Sequence, residues 1–562
     1  MNYIIDNSKN YGENLHSQES WESSNFNDSI TKLYFQLVRQ PKNDFNQLLL
    51  TQYENLIKES INLDNQYFLQ ILISLLFQTR DINSGKGEYC LFYNLLPIWD
   101  KYYSRIDTEL IRKPLMMLFD VKVVNETYIY NFTHPYGSWK DLKYIFNSYR
   151  NYYKLDKKDI IEKCEKEGIL NILLNQVKLE WNNKDSLLFK WLPREKSKKF
   201  GWQASLYAKT IWPNLTIRES LLLYRKHCSN ENKKLETLEI NQCNKTWAWI
   251  DFEKQLTSLN LIRQKKAFLC KSRNMKDILP ADRLECKSNF LEFLSNNKEK
   301  NIKTQHISLG EIIKNMIHYI NINDKELIDT TNIIWENKVK SNKKILYNII
   351  PILDLSLSMT SENSSYYEAI GIALWLASNS SIENRIMIIG NQPYWLNIND
   401  CKNLKEMVEL IQENVISGKT NIYAVFKLIA DICILKDLPP EKIENLKLII
   451  LSDMQIDKDS YSDYTNNRLI LEENIKIIFA QTGIHTSHNI PYNSPTLFFW
   501  NMRTTNGFPC STCTENVFMI SGFNPNLISN ILTGGTDKLS TMTAASSVLK
   551  ILLQYRYSWF WI

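Results

Sequence analysis

The stretch DLSLS, residues 354–358, places one carboxylate and two hydroxyls on alternate residues immediately after the apolar run ILYNIIPIL. Such a run reads as a buried strand passing into a loop, where alternate side chains turn the same way. Asp354, Ser356 and Ser358 can then face one point. Hard oxygen donors suit Mg²⁺, which takes near-octahedral coordination at about 2.1 Å and keeps some of its water. Two further donors sit in equivalent settings: Thr420 in SGKTNIYAVF, a loop opening a helix, and Asp453 at the end of the apolar run LKLIILSD. The competing reading of the first stretch is a set of Asp and Ser helix caps, since SMTSENSS precedes the next helical pattern.

Other short patterns carry less chemistry. SGKT resembles the tail of a phosphate-binding loop, but that motif needs Gly five residues before Gly418, where Glu413 stands, and a strand before the loop instead of a helix. NSGKGE at 83–88 fails too, with Gly87 after the lysine and Arg80 where the first glycine belongs. Cys510 and Cys513 form a CxxC whose second pair is missing, so zinc or disulfide chemistry is not expected there. His485 and His488 sit in a polar stretch, GIHTSHNI, that reads as a solvated turn. No base or nucleophile stands out near the oxygen donors, and the chain is expected not to be an enzyme.

The net charge of +6 hides an asymmetry. From Pro351 onward, 15 Lys and Arg face 20 Asp and Glu, a balance of −5, which leaves +11 for residues 1–350. An anionic partner is expected for the first half, nucleic acid being the commonest. The densest stretch runs from Lys190 to Glu236, with 11 Lys and Arg against 4 Glu. Within it, KWLPREKSKKFGW interleaves Lys190, Arg194, Lys196, Lys198 and Lys199 with Trp191, Phe200 and Trp202. Phosphate attraction beside stacking rings would suit RNA or single-stranded DNA. The alternative is a solvated basic loop over buried aromatics. Tyr136 and Trp139, in HPYGSWKDLKYIF, read as packing residues.

These residues need elements to hold them. A chain of 562 residues exceeds one core and suggests roughly three or four units, or two large ones. Residues 1–24 are polar and aperiodic, a loose terminus. Residues 25–343 place apolar side chains three and four apart in segments such as YFLQILISLLFQ and RESLLLYRKHC, with breaks at Gly and Pro. This predicts an all-helical, solenoid-like array without a fixed repeat. From 344 to 562, β-branched runs alternate with amphipathic helices, which predicts a doubly wound, mainly parallel sheet. Ligands of such sheets sit beyond the carboxyl ends of the strands, where Asp354 and Asp453 fall. No stretch approaches the roughly 20 apolar residues of a membrane helix, and the first residues lack the pattern of a signal peptide. An intracellular protein with reduced cysteines is expected.

A strand-end Asp, two loop hydroxyls, a loop Thr and a second strand-end Asp, in that order, resemble the metal-ion-dependent adhesion site of von Willebrand factor A domains. That resemblance implies one divalent ion, Mg²⁺ or Mn²⁺, with Ser356, Ser358 and Thr420 as direct ligands and Asp354 and Asp453 ligating directly or through water. Leu357 stands where many members have Gly. Several strings, RDINSGKGE, YGSWKDL, KWLPREKSK, LSDMQID, FWNMR and SGFNPNLI, together resemble the uncharacterised family called domain of unknown function 2828, over about residues 28–556. With its Asn and Ile bias the chain looks like a mimivirus-type, giant-virus member, in host cytoplasm or virion. The layout is similar to the Ro ribonucleoprotein, helical repeats followed by a von Willebrand-like domain, which implies RNA on the helical half. A binding scaffold follows, with an acidic or phosphate-bearing ligand, possible in a protein, at the ion. The alternatives are a particle-associated interaction component that never touches nucleic acid and, behind it, a metal-dependent nuclease or nucleotide hydrolase.

Overall fold

The computed structural model describes residues 9–560 except for 12–16, 20–24, 40–46, 120–121, 125–128, 132–135, 184–185, 272–278, 297–301, 305, 342–345, 357, 360–362, 383, 391, 415–420, 456–470, 505–506 and 533–541. The chain combines a largely helical first part with a mixed sheet near its end, as the periodicities predict. It forms two compact units: Met1–Leu49 with Asn297–Leu552, and Leu50–Asn296 with Leu553–Ile562. Residues 26–36 and 309–341, helical in sequence pattern, therefore belong with the sheet.

The sheet has six strands: β1 (Ile349–Asp354), β2 (Arg385–Ile389), β3 (Tyr394–Asn397), β4 (Lys447–Ser452), β5 (Thr496–Asn501) and β6 (Val517–Ser521). Their spatial order is β6-β5-β4-β1-β2-β3, and every pairing is parallel except that of β2 with the edge strand β3. All six residues of β1 and of β5 are buried, so the sheet is covered on both faces. After β3 the chain crosses back to place β4 on the other flank of β1. That reversal opens a crevice between the carboxyl ends of β1 and β4, the place where open α/β sheets receive ligands.

Helix Asn363–Asn379 packs on β1 and carries helix Leu309–Asn321 across its back. The crossing is close because Gly371 meets Leu309: a Cβ there would lie 2.7 Å from Leu309 Cβ. Glu368, one turn earlier, receives the Gly310 N–H at 2.8 Å and the Ser308 hydroxyl, so a carboxylate caps the positive end of the crossing helix. The N-terminal helix Phe26–Gln36 is tied to the sheet through Asn501 Nδ2 on Phe35 O (2.9 Å) and Ser521 Oγ on Tyr34 O (2.7 Å).

In the helical unit, Gln66–Arg80 and Tyr89–Lys101 pack together, and Lys140–Tyr152 lies against the latter. The string NSGKG joins the first two. The backbone N–H groups of Lys86 and Glu88 go to Gln78 O (2.9 Å) and Thr79 O (2.7 Å), satisfying helix-end carbonyls. Both are spent on the fold and are not free to hold a phosphate. Asp141, fully buried, accepts from Arg80, Tyr93 OH and the Ser138 N–H. Asp81 accepts from Arg556 and Tyr557. Tyr136 and Trp139 are buried, and Trp139 stacks on Phe119 at 4.3 Å. The helix that follows them begins at Lys140.

Candidate functional sites

At the sheet end, register does the positioning. Leu353 pairs with Leu451, so one step further Asp354 meets Ser452, whose hydroxyl donates to Asp354 Oδ2 at 2.6 Å. Asp354 Oδ1 accepts the Ser356 N–H at 2.9 Å. Ser356 Oγ and Ser358 Oγ lie 2.9 Å apart, so the two hydroxyls turn to one side as alternation predicts. Asp453 follows β4 directly and is fully buried. Burial, and then the charge of Asp453, pushes the Asp354 carboxyl up to about 6. The two carboxylates thus feel one another. Met454, next in the chain, takes a left-handed φ of 62°, held by its N–H on Ser452 Oγ at 3.0 Å. Backbone strain of that kind concentrates at functional sites.

Sequence reasoning missed Ser452 and Arg503. Arg503 closes the string FWNMR, two residues past Asn501, the residue that pairs with Ser452 in the sheet. Its Nε and Nη2 donate to Asp453 Oδ2 at 3.1 and 3.0 Å. Asp453 Oδ1 accepts the Gln455 N–H at 3.1 Å. A basic residue just past a neighbouring strand end was the available signal. Thr420 and Leu357 lie outside the described residues. Helix Ile422–Leu435 begins directly beyond Thr420, capped by Asn421 Oδ1 on the Ala424 N–H at 2.9 Å. Among the described residues, no group of three or more His, Cys, Asp or Glu side chains is placed to hold a metal. A donor set rich in hydroxyls differs from such a group. Cys510 is buried, Cys513 is exposed, and both are free thiols.

The second site lies in the helical unit. Helix Lys140–Tyr152 buries Asp141, Leu142, Ile145, Phe146 and Tyr149 and turns Lys140, Lys143 and Tyr144 the other way, three and four apart. Tyr144 stacks on Tyr93 with centroids 5.6 Å apart and planes 8° from parallel. Lys140 Nζ lies over the rings of Tyr89 (5.7 Å) and Tyr144 (5.3 Å), and Lys199 Nζ over Tyr144 (5.2 Å) and Phe200 (5.2 Å). Lys143 Nζ lies over Phe200 (5.4 Å) and Trp191 (5.0 Å), and Lys190 Nζ over Trp191 (5.8 Å). Cations and rings therefore alternate in one continuous row, each contact contributing about 0.5–1 kcal/mol.

A tight fold-back delivers the last members. Gly201 N–H donates to Ser197 O at 2.8 Å, and a Cβ on Gly201 would lie 2.2 Å from Glu195 O, so only glycine fits. Of the predicted basic residues, Lys190 is half-buried with Glu239 at 3.3 Å. Arg194, Lys196, Lys198 and Lys199 are exposed. Lys140 and Lys143 were not singled out in the sequence, although both stand in the quoted WKDLK. Burial, then Arg263, lowers the Lys140 pKa; burial, then Lys140, lowers that of Lys143. Half-buried like charges gathered this way are relieved by an anion.

Comparison with known proteins adds the following. Residues 348–549 match the family model described as Domain of unknown function (DUF7788), which is not the 2828 family that the strings suggest. The uncharacterized protein L728 of Acanthamoeba polyphaga mimivirus is 24% identical over 526 residues, covering 89% of this chain and 82% of that protein. The crystal structure of the Deinococcus radiodurans RO (RSR) protein aligns with a TM-score of 0.38 and 11% identity, over 90% of this chain and 99% of that one. No helix among the described residues is long and apolar enough to cross a membrane.

Proposed function

We propose that this chain is a non-enzymatic binding protein whose helical unit takes RNA along the row of lysines and rings on Lys140–Tyr152 and Lys190–Phe200. The observation that carries this reading is the alternation of Lys140, Lys143, Lys190 and Lys199 with Tyr89, Tyr144, Trp191 and Phe200. A phosphodiester strand presents anions and flat bases in the same alternation, so phosphates can meet the ammonium groups while unpaired bases stack on rings. Exposed Arg194, Lys196 and Lys198 extend the field that draws the polyanion in.

The sheet unit supplies a second binding function in this reading. Asp354, Ser356, Ser358, Thr420 and Asp453 would hold one Mg²⁺ or Mn²⁺. The donor set fits a hard cation: two fully buried carboxylates that repel, beside a pair of hydroxyls 2.9 Å apart. The strand order, with an antiparallel edge and the donors at the β1/β4 crevice, supports a von Willebrand factor A-type arrangement. Such an ion keeps an open position for an acidic or phosphate-bearing ligand.

The test is binding of a mixed-sequence single-stranded RNA to the full chain at low salt, followed by fluorescence anisotropy. Binding should weaken steeply with salt, and Lys140→Gln combined with Lys143→Gln and Lys199→Gln should cost about tenfold or more while lowering the salt slope. Absence of binding at low salt would reject the RNA role in favour of a protein-interaction component, and equal binding by the variant would reject this row as the place where RNA sits.

A further inference from the structure

We infer that Arg503 is the resident counter-charge of the sheet-end site, holding Asp453 closed and competing with a divalent cation for it. The inference rests on the cation reading above and adds a residue that this reading does not contain. Both oxygens of Asp453 are engaged: Oδ1 by the Gln455 N–H at 3.1 Å, and Oδ2 by Arg503 through Nε at 3.1 Å and Nη2 at 3.0 Å. A guanidinium and a metal ion cannot share one carboxylate oxygen at close range without strong mutual repulsion. Direct ligation by Asp453 Oδ2 therefore requires Arg503 to leave.

The surroundings allow that departure. The Arg503 side chain is 15% exposed while that of Asp453 is 0% exposed, so the guanidinium has a solvent side to swing toward and the carboxylate has none. Removing the Arg503 guanidinium takes a positive charge away from two buried carboxylates that stand together, a change that burial makes costly. The guanidinium neutralises one of them and keeps the site assembled. Backbone geometry holds it near: Arg503 N–H donates to Asn501 Oδ1 at 3.1 Å at the end of β5. Asp453 stands in LSDMQID and Arg503 in FWNMR, and the ion pair joins the two strings. Two states follow: an arginine-closed one and a cation-loaded one in which Arg503 lies outside, ready to face the incoming anion.

The experiment uses the full chain and Arg503→Gln, with Mn²⁺ as the probe. Melting is followed by fluorimetry in EDTA and then in MnCl₂, and affinity by calorimetry. In EDTA the variant should melt below the parent, and Mn²⁺ should restore it while moving the parent far less. Its Mn²⁺ affinity should exceed the parent's by about tenfold or more, since no competing cation remains. Arg503→Lys, which keeps the charge with a single donor group, should fall between them, and it serves if the glutamine variant does not fold. Equal Mn²⁺ affinity in parent and variants overturns the inference and leaves the cation reading standing. No Mn²⁺ binding by any of them overturns both. A variant destabilised equally with and without Mn²⁺ assigns Arg503 a purely structural role and overturns the competition.

Discussion

Arg80 and Asp141, 61 positions apart, form a bidentate ion pair, with Nε on Oδ1 at 2.8 Å and Nη2 on Oδ2 at 2.7 Å, and both side chains are buried. The arginine ends helix Gln66–Arg80 and the aspartate sits in the first turn of Lys140–Tyr152. That turn also starts the face that carries Lys140, Lys143 and Tyr144, so the pair fixes the binding row to the core.

Asp141→Asn should lower stability by about 3–5 kcal/mol, because it strands a buried guanidinium. Urea unfolding with an unchanged slope measures it. The double variant Arg80→Met/Asp141→Leu should recover part of the loss, since replacing both partners removes the stranded charge.

Gly371→Ala should destabilise the sheet unit by about 1–3 kcal/mol, because its new Cβ would need the space of Leu309 Cβ, 2.7 Å away. Leu309→Ala in the same chain should not return that cost, since alanine keeps both the Cβ and the backbone carbon, 2.9 Å away, that the new methyl meets. Thermal melting of the two single variants and the pair gives the coupling directly.

Lys338 is buried on helix Lys325–Ser341, its Nζ on Thr304 O at 3.3 Å, facing Glu368 and near His306. Burial lowers its pKa to about 8 from 10.5, against the opposing pull of Glu368. The folded state thus sheds this proton first, and between about pH 8 and 10.5 the unfolded chain binds the extra proton. Stability attributable to Lys338 should climb across that window, by up to about 3 kcal/mol, and Lys338→Met should lose the climb. Chemical denaturation of both forms from pH 7.5 to 10.5 measures it; parallel curves would refute it.

Mg²⁺ should raise the melting temperature of the parent chain, and Asp354→Ala and Thr420→Ala should each abolish that rise. Melting curves with and without Mg²⁺ decide this. Persistence of the full shift in both variants would remove those two residues from the ligand set.

The sheet was legible because β1, β4 and β5 are short continuous apolar runs of strand length, the pattern of a strand buried on both faces. The edge strand β3 was not: YWLN is four residues long and only Leu396 is buried, so neither length nor alternation marks it. The nearness of Asp354 to Asp453 followed from their placement at strand ends, since adjacent parallel strands bring such ends together. Arg503 escaped notice because its partner is a matter of register, and register between strands about fifty residues apart leaves no local trace. Lys140 and Lys143 were hidden for a different reason. Their string was read for its aromatics, and apart from Tyr144 the rings that flank the two lysines, Tyr89, Trp191 and Phe200, come from other segments of the chain.

Asp81 obtains its guanidinium and phenol from Arg556 and Tyr557, 475 and 476 positions later. Vectorial synthesis on the ribosome therefore delivers the acceptor long before its donors, with the entire sheet translated in between. A chain cut short anywhere along that interval carries the early helices around a buried carboxylate that lacks its Arg556 and Tyr557 donors. Such products should open readily to proteases, which makes this clasp a built-in mark of chains translated through Tyr557.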